Sequence, residues 1–240
     1  WMPTQINAPL NTSFQSNGGF TSKLFGKKFG GTFGIMYNRS FRNLDLLNRA
    51  NVIDENTYEV SIVSSYNDRK YQQEISAGAL GSVSLQLNSF NKISVKSILN
   101  INSSNSVSQR NGEDFSRQDQ LKGSEFTFKQ NTFFTVQANG EHRLIKPLTF
   151  KWYGAFNILD GHIPDQRRIL YSKEAGTQHP YRLLISNTLS QQSGSRIYQS
   201  LSDYIYTAGG DLSYKFKWLE QNQTLKGGYM MLNCLLIICH

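Results

Sequence analysis

The sequence predicts an all-β protein: an antiparallel up-and-down meander of about seven or eight long strands, forming part of a large transmembrane β-barrel. Apolar and polar residues alternate over long segments, which is the pattern of strands with two unlike faces. Many of these segments reach the roughly 9–11 residues that a tilted strand needs to cross a bilayer. Short turns alternate with long polar stretches, as in a meander whose long loops share one end.

Composition supports this prediction. The chain has 240 residues, of which 38% are hydrophobic and 12% aromatic, and a formal net charge of +8. No apolar run approaches the roughly 18 residues that indicate a helical membrane span. The basic residues are scattered rather than gathered in a block, so no nucleic-acid partner is expected.

The strand predictions follow the chain in order. Residues 11–20 are a weak candidate for the first strand. Clear alternation then recurs in six segments, and a seventh begins near Thr224. The six segments are 29–41, 75–87, 93–101, 126–142, 148–158 and 204–218.

One face of the predicted strands is large and apolar. In 148–158 Phe150, Trp152 and Phe156 share one parity, whereas Lys151 and Tyr153 have the other. Aromatic residues also cluster near both ends of 204–218, as in the aromatic girdles of membrane barrels. The alternative is the core of a soluble β-protein, but no second sheet or covering helix is evident. The residues predicted to face lipid are Phe150, Trp152, Phe156, Tyr204, Tyr206, Phe216 and Trp218.

Three polar stretches are predicted to be long loops at one end of the meander: residues 42–73, 102–125 and 159–203. Short turns are expected near Asn91, Pro147 and Asn222. The 159–203 stretch is the best candidate for contact with a ligand, because loops of this kind often carry function. The alternative is ion pairing that only holds the loops together. The candidate ligand-contacting residues are Asp160, His162, Asp165, Arg167 and Arg168.

Little in the sequence indicates an enzyme, a cofactor or a metal site. No two of the four histidines have the spacing of metal ligands, and we find no complete catalytic triad or phosphate-binding loop. The cysteines Cys234 and Cys239 lie at the end of the chain, which excludes a disulfide framework. The sequence therefore predicts no enzyme activity, no cofactor and no metal.

The end of the chain departs from the pattern. Residues 232–240 are apolar on both parities, so we assign 1–231 to a partial outer-membrane β-barrel domain and 232–240 to an atypical apolar tail. The tail is interpreted as an artefact of truncation or reading frame. The alternative is a buried strand.

Three stretches resemble TonB-dependent outer-membrane receptors of the Bacteroidetes type. They are SKLFGKKFGGTFGIMYNRSFR, YQQEISAGALGSVSLQLNSFNKISVKSILNINSSNSVSQRNGED and HIPDQRRILYS, in this order along the chain. The last stretch resembles a Pro-Asp-x-Arg loop motif of those receptors, with Pro164, Asp165 and Arg167.

This resemblance implies a 22-stranded barrel in the bacterial outer membrane with an N-terminal plug domain. Such receptors import a ligand into the periplasm with energy from a TonB–ExbB–ExbD complex. The chain has too few predicted strands for a whole barrel and is interpreted as a slice of its wall. The implied partners are outer-membrane lipid, the plug, the TonB–ExbB–ExbD complex and an unidentified ligand. Two alternatives remain, a porin-like passive barrel and a soluble or surface-attached β-rich binding module.

Overall fold

A single antiparallel sheet contains all the strands of the described residues. The computed structural model describes residues 3–4, 6–53, 58–185 and 194–239. Within them the elements are β1 (Thr12–Leu24), β2 (Lys27–Ile53), β3 (Val60–Asn88), β4 (Asn91–Asp114), β5 (Asp119–Ile145), β6 (Leu148–Glu174), β7 (Arg182–Leu183), β8 (Ser195–Trp218) and β9 (Gln221–Cys239).

The strands follow one another across the sheet in chain order, β1-β2-β3-β4-β5-β6-β8-β9, and the two-residue β7 pairs with the end of β6. This confirms the predicted up-and-down meander, with eight long strands. The sheet is open, since no described pairing joins β1 to β9. None of the described residues belongs to a helix long and apolar enough to cross a membrane.

Four two-residue turns lie at one end of the sheet, and three of them are the predicted short turns. The turn at Phe25–Gly26 has positive φ at both residues, as does the turn at Leu219–Glu220. Positive φ at both central positions defines the hairpin turn whose twist matches that of paired strands. The other two turns are Ser89–Phe90, where the Phe90 N–H donates to Asn88 Oδ1 at 2.8 Å, and Lys146–Pro147.

The prediction of three long loops is mostly wrong, because the strands continue through these stretches. β2 extends to Ile53, and β6 runs without a break to Glu174. β6 has 27 residues, more than twice what a bilayer requires. We call the strand segments next to the four turns the turn half and the remaining segments the far half. In β6 these are 148–158 and 159–174.

The register of the strands places the apolar residues of each predicted segment on one face of the sheet. In the turn half, Val95 pairs with Val83 on one side and Ala138 on the other, and Ala138 pairs with Gly154. Directly paired residues of an antiparallel sheet share a face. We call this face, with Val95, the apolar face, and the opposite one, with Ser94, the polar face. The apolar face of the turn half includes Phe33, Ile35, Leu85, Val83, Ile93, Leu99, Phe134, Val136, Phe156, Ile158 and Leu212.

Almost nothing is packed beneath this sheet. Among the described residues only Leu121 and Leu170 are buried hydrophobic side chains, whereas Phe33 is 54% exposed and Ile35 is 50% exposed. Monomeric soluble proteins rarely expose contiguous apolar patches larger than a few hundred Å². The apolar face is therefore a surface that needs another apolar phase or partner.

The terminal residues 232–239 lie within β9 and are paired with β8, from Thr207↔Leu232 to Ser200↔Cys239. Residues 232–238 are exposed, and apolar side chains occur on both faces of this segment. Strand pairing does not test whether the tail is an artefact, which stays a prediction. His240 lies outside the described residues.

Candidate functional site

Cross-strand packing against glycine shapes the apolar face. Trp152 lies over Gly140, so close that a Cβ on this glycine would overlap the indole ring. The Trp152 Nε1–H donates to His142 Nε2 at 3.0 Å, and His142 Nδ1 lies 2.7 Å from Asn91 Oδ1. Aromatic rings that cover a paired glycine are a known means of fixing strand register. The polar indole and imidazole groups thus have partners near the turn end of the apolar face.

The predicted lipid-facing residues all lie on the apolar face. Phe156 pairs directly with Tyr206, and their ring centroids are 4.9 Å apart. Tyr214 and Phe216 stack with centroids 6.0 Å apart. Direct pairing and the two-residue period extend this face to the complete set: Phe150, Trp152, Phe156, Tyr204, Tyr206, Phe216 and Trp218.

In the far half, one bulge in β6 organises three of the charged groups on the apolar face. The register shifts between Ile163 and Gln166, where the extra residue is accommodated beside Pro164. Proline has no N–H to give to the ladder, so a bulge is one of the few positions that it can occupy in a sheet.

Asp165 at this bulge forms ion pairs with Arg167 and Arg196. Its carboxylate accepts from Arg167 Nε at 2.6 Å and from Arg196 Nε at 2.8 Å. These two guanidinium groups hold the pKa of Asp165 well below its usual range. The Arg196 guanidinium also lies over the Tyr198 ring, 5.3 Å from its centroid.

A second charged cluster lies on the polar face of the far half. Arg110 makes a two-point contact with Asp68, at 2.7 and 2.6 Å, and its guanidinium lies 4.8 Å from the centroid of Tyr66. Glu125 accepts from Arg168 Nε at 2.8 Å and from Gln166 Nε2 at 2.7 Å.

The surroundings of Tyr66 raise the pKa of its phenol. Partial burial is the largest cause that raises the pKa of Tyr66 above its usual value, and the Ser64 hydrogen bond opposes it. On the polar face of the far half, the Arg110–Asp68 ion pair joins β4 to β3, and the Arg168–Glu125 ion pair joins β6 to β5.

The structure separates the five candidate ligand-contacting residues. Asp165 and Arg167 form one cluster on the apolar side of β6, and Arg168 lies in the other cluster on the polar face. Asp160 and His162 share the apolar side, closer to the turn half, and Asp160 Oδ1 is buried with no hydrogen-bond partner in the described structure. All five lie in a strand, not in a loop.

Sequence reasoning missed Glu125 and Arg196, the partners of Arg168 and Asp165, and it also missed the ion pair between Asp68 and Arg110. Asp68 and Arg110 are far apart in the chain but form a direct cross-strand pair in the far half. The signal that could have found this pair is the meander, because residues at equal distances from a short turn pair across two antiparallel strands. A prediction of loops in these stretches contains no such pairing.

A groove of about 520 Å³ lies between the N-terminal segment and the far half of β2, β3 and β4. Its wall includes Ile6, Phe41, Tyr71 and Val107. Within the described ranges, no three His, Cys, Asp or Glu side chains are placed to hold a metal ion.

No protein-family model matches the chain, and no curated protein matches it.

Proposed function

We propose that this sheet is a section of the wall of an outer-membrane β-barrel, with its apolar face toward lipid and its polar face toward the lumen. One observation carries the proposal: the apolar side chains of eight strands are in register on one uncovered face. Membrane barrels need this division, because their strands alternate between lipid-facing and lumen-facing residues. Their backbone groups are satisfied by ladder pairing.

The ends of the strands suggest an orientation. Outer-membrane barrels have short periplasmic turns and longer extracellular segments. The four two-residue turns would then lie in the periplasm, and the far half would stand above the outer leaflet. The charged cluster with Asp68, Arg110, Glu125 and Arg168 would line the outer vestibule, where an incoming ligand passes.

Within this class, we favour a TonB-dependent receptor that imports a ligand into the periplasm. The support is the sequence resemblance in 22–42, 71–114 and 162–172, together with far-half strands long enough to form an extracellular vestibule. The plug and the TonB–ExbB–ExbD complex would act through parts of such a receptor other than this wall. A porin-like passive barrel is the alternative in the membrane, and a β-rich binding module is the alternative outside it.

The orientation of the faces is tested by a cysteine scan along residues 132–140 of β5, with Cys234 and Cys239 replaced by serine. Each cysteine is labelled with an environment-sensitive fluorophore after reconstitution in liposomes. Blue-shifted emission is expected at the even-numbered positions, which include Val136 and Ala138, and water-like emission at the odd-numbered ones. Uniform emission along the strand, or a protein that stays monodisperse without detergent, would overturn the membrane proposal.

Receptor and passive barrel differ in permeability. Liposomes containing the full-length parent of this wall section should not swell in isosmotic arabinose if a plug closes the barrel, and the parent should bind the isolated periplasmic domain of TonB. Rapid swelling without TonB binding would favour the porin-like alternative and leave the membrane placement intact.

A further inference from the structure

The turn end of the polar face carries a concentration of lysines that the wall function does not explain. Lys23 pairs directly with Lys28, which pairs with Gln86, and Gln86 pairs with Lys92. The three lysines therefore lie on one line across four strands. At the opposite edge of the sheet, three more lysines lie near the last turn, and the register places them on the same polar face: Lys215, Lys217 and Lys226. We call these six residues the lysine rim.

Three carboxylates at this end, Glu141, Asp211 and Glu220 in the last turn, do not balance the six lysines of the rim. Glu141 forms its salt bridge with Lys151 at 3.3 Å, and Asp211 is the direct ladder partner of Lys151 on its other side. Both carboxylates thus lie beside a lysine that is not part of the rim, although Lys92 also pairs across from Glu141. The six rim lysines are all exposed.

This arrangement has a cost to the sheet. Like charges directly opposite each other destabilise an antiparallel pair, and Lys23 faces Lys28 in this way. The far half of the same face is built differently, since Arg110 there has Asp68 and Arg168 has Glu125. The excess positive charge is therefore a local feature of the turn end, not a general property of the polar face.

We propose that the lysine rim is a docking site for an extended, acidic polypeptide segment of a partner. The rim has two groups of lysines, one on β1, β2 and β4 and the other on β8 and β9. From β1 to β9 there are seven steps between neighbouring strands, which span about 34 Å at roughly 4.8 Å per step. An extended segment of about ten residues has the same reach. A small anion would contact only a few neighbouring lysines. This inference rests on register and charge, and it does not require the apolar face to contact lipid.

The test is binding of dye-labelled deca-glutamate, followed by fluorescence anisotropy at low salt with the protein in a neutral detergent. The rim variant carries Lys23→Gln, Lys28→Gln and Lys92→Gln, and we expect it to bind about tenfold more weakly. The matched control carries Lys70→Gln, Lys122→Gln and Lys129→Gln in the far half, and loses the same charge. We expect its affinity to change less than about twofold.

A third variant, with arginine at positions 23, 28 and 92, keeps the charge and should retain the affinity for deca-glutamate. If this variant fails to bind deca-glutamate, positive charge at these positions is not what the peptide recognises, and the proposal is overturned. Equal losses in the rim and control variants would also overturn it. Displacement of the peptide by inorganic phosphate at equal total charge would identify a site for free anions instead.

Discussion

The turn half and the far half of the sheet are built from the same strands but held by different forces. In the turn half the two faces differ in polarity, and Lys151–Glu141 is the ion pair described there. In the far half polar side chains lie on both faces, and ion pairs such as Arg110–Asp68 and Arg69–Asp45 cross from strand to strand. Backbone pairing of β3 with β4 nevertheless runs from one half into the other without a change of register between Ser64↔Asp114 and Gln86↔Lys92.

The difference shows which property of a strand depends on its surroundings. Ladder hydrogen bonds need only an extended backbone, so they can continue wherever neighbouring strands are long enough. Alternating polarity is needed only where one face meets an apolar phase. The boundary between the halves therefore marks where that phase would end, and changes on the two sides of it should have different consequences.

The largest effect is expected from Val95→Arg, on the apolar face of the turn half. An arginine facing lipid near the bilayer midplane costs a membrane barrel about 2–4 kcal/mol. Ser94→Arg is the matched control on the same strand, because its ladder partners Ser84 and Asn139 are polar. Urea titration of the protein in liposomes measures both. Similar losses for the two variants would contradict the assignment of faces.

A smaller effect is expected from Gly140→Val, which tests packing within the apolar face. The new side chain would displace the Trp152 indole from its place over Gly140 and break its hydrogen bond with His142. Overpacking of this kind costs about 1–3 kcal/mol. Urea titration gives the loss, and the tryptophan emission reports the displacement.

Gly81→Val is the control for this change. Gly81 is also on the apolar face, opposite Phe33, but a Cβ there would meet no atom within 4 Å. We expect the unfolding midpoint and the emission to stay close to those of the parent. A loss as large as that of Gly140→Val would mean that any branched residue is harmful here, whatever its contacts.

The comparison of halves also explains what the sequence could and could not predict. Segments such as 93–101 and 148–158 were identified as strands because an apolar parity is visible in the sequence. Residues 102–114 were predicted to be loop, because Ser, Asn and Gln on both parities leave no periodic signal. Their strand state comes from long-range pairing with β3 and β5, which a local pattern cannot report.

The candidate site was affected in the same way. Asp165 and Arg167 were selected from composition, and they do form an ion pair. Arg168, the next residue, points to the opposite face, because neighbouring residues of a strand alternate. A loop prediction assigns no faces to the residues, so it cannot separate Arg167 from Arg168. Whether any of these residues contacts a ligand stays a prediction.

The smallest effect is expected from Asp165→Asn in the far half, where an ion cluster replaces apolar packing. The change leaves Arg167 and Arg196 on paired positions without the carboxylate that they share. Exposed ion pairs contribute little to overall stability, so the unfolding midpoint should stay unchanged. Faster hydrogen exchange is expected locally, at the far ends of β6 and β8.

The pH dependence of this exchange gives the sharper test, because its direction follows from the pKa of Asp165. That pKa is lower in the folded protein than the ordinary value of about 3.9. The carboxylate therefore stabilises the pairing of β6 with β8 fully above about pH 4, and its contribution is lost only as the pH falls toward the depressed pKa. Protection of the β6 and β8 amides in the parent should persist at pH 4 and decline below it. In Asp165→Asn the protection of these amides should be lower than in the parent at pH 4, and it should not change further as the pH falls below 4. A parent that loses this protection between pH 6 and pH 4 would show that groups other than Asp165 hold the far half together.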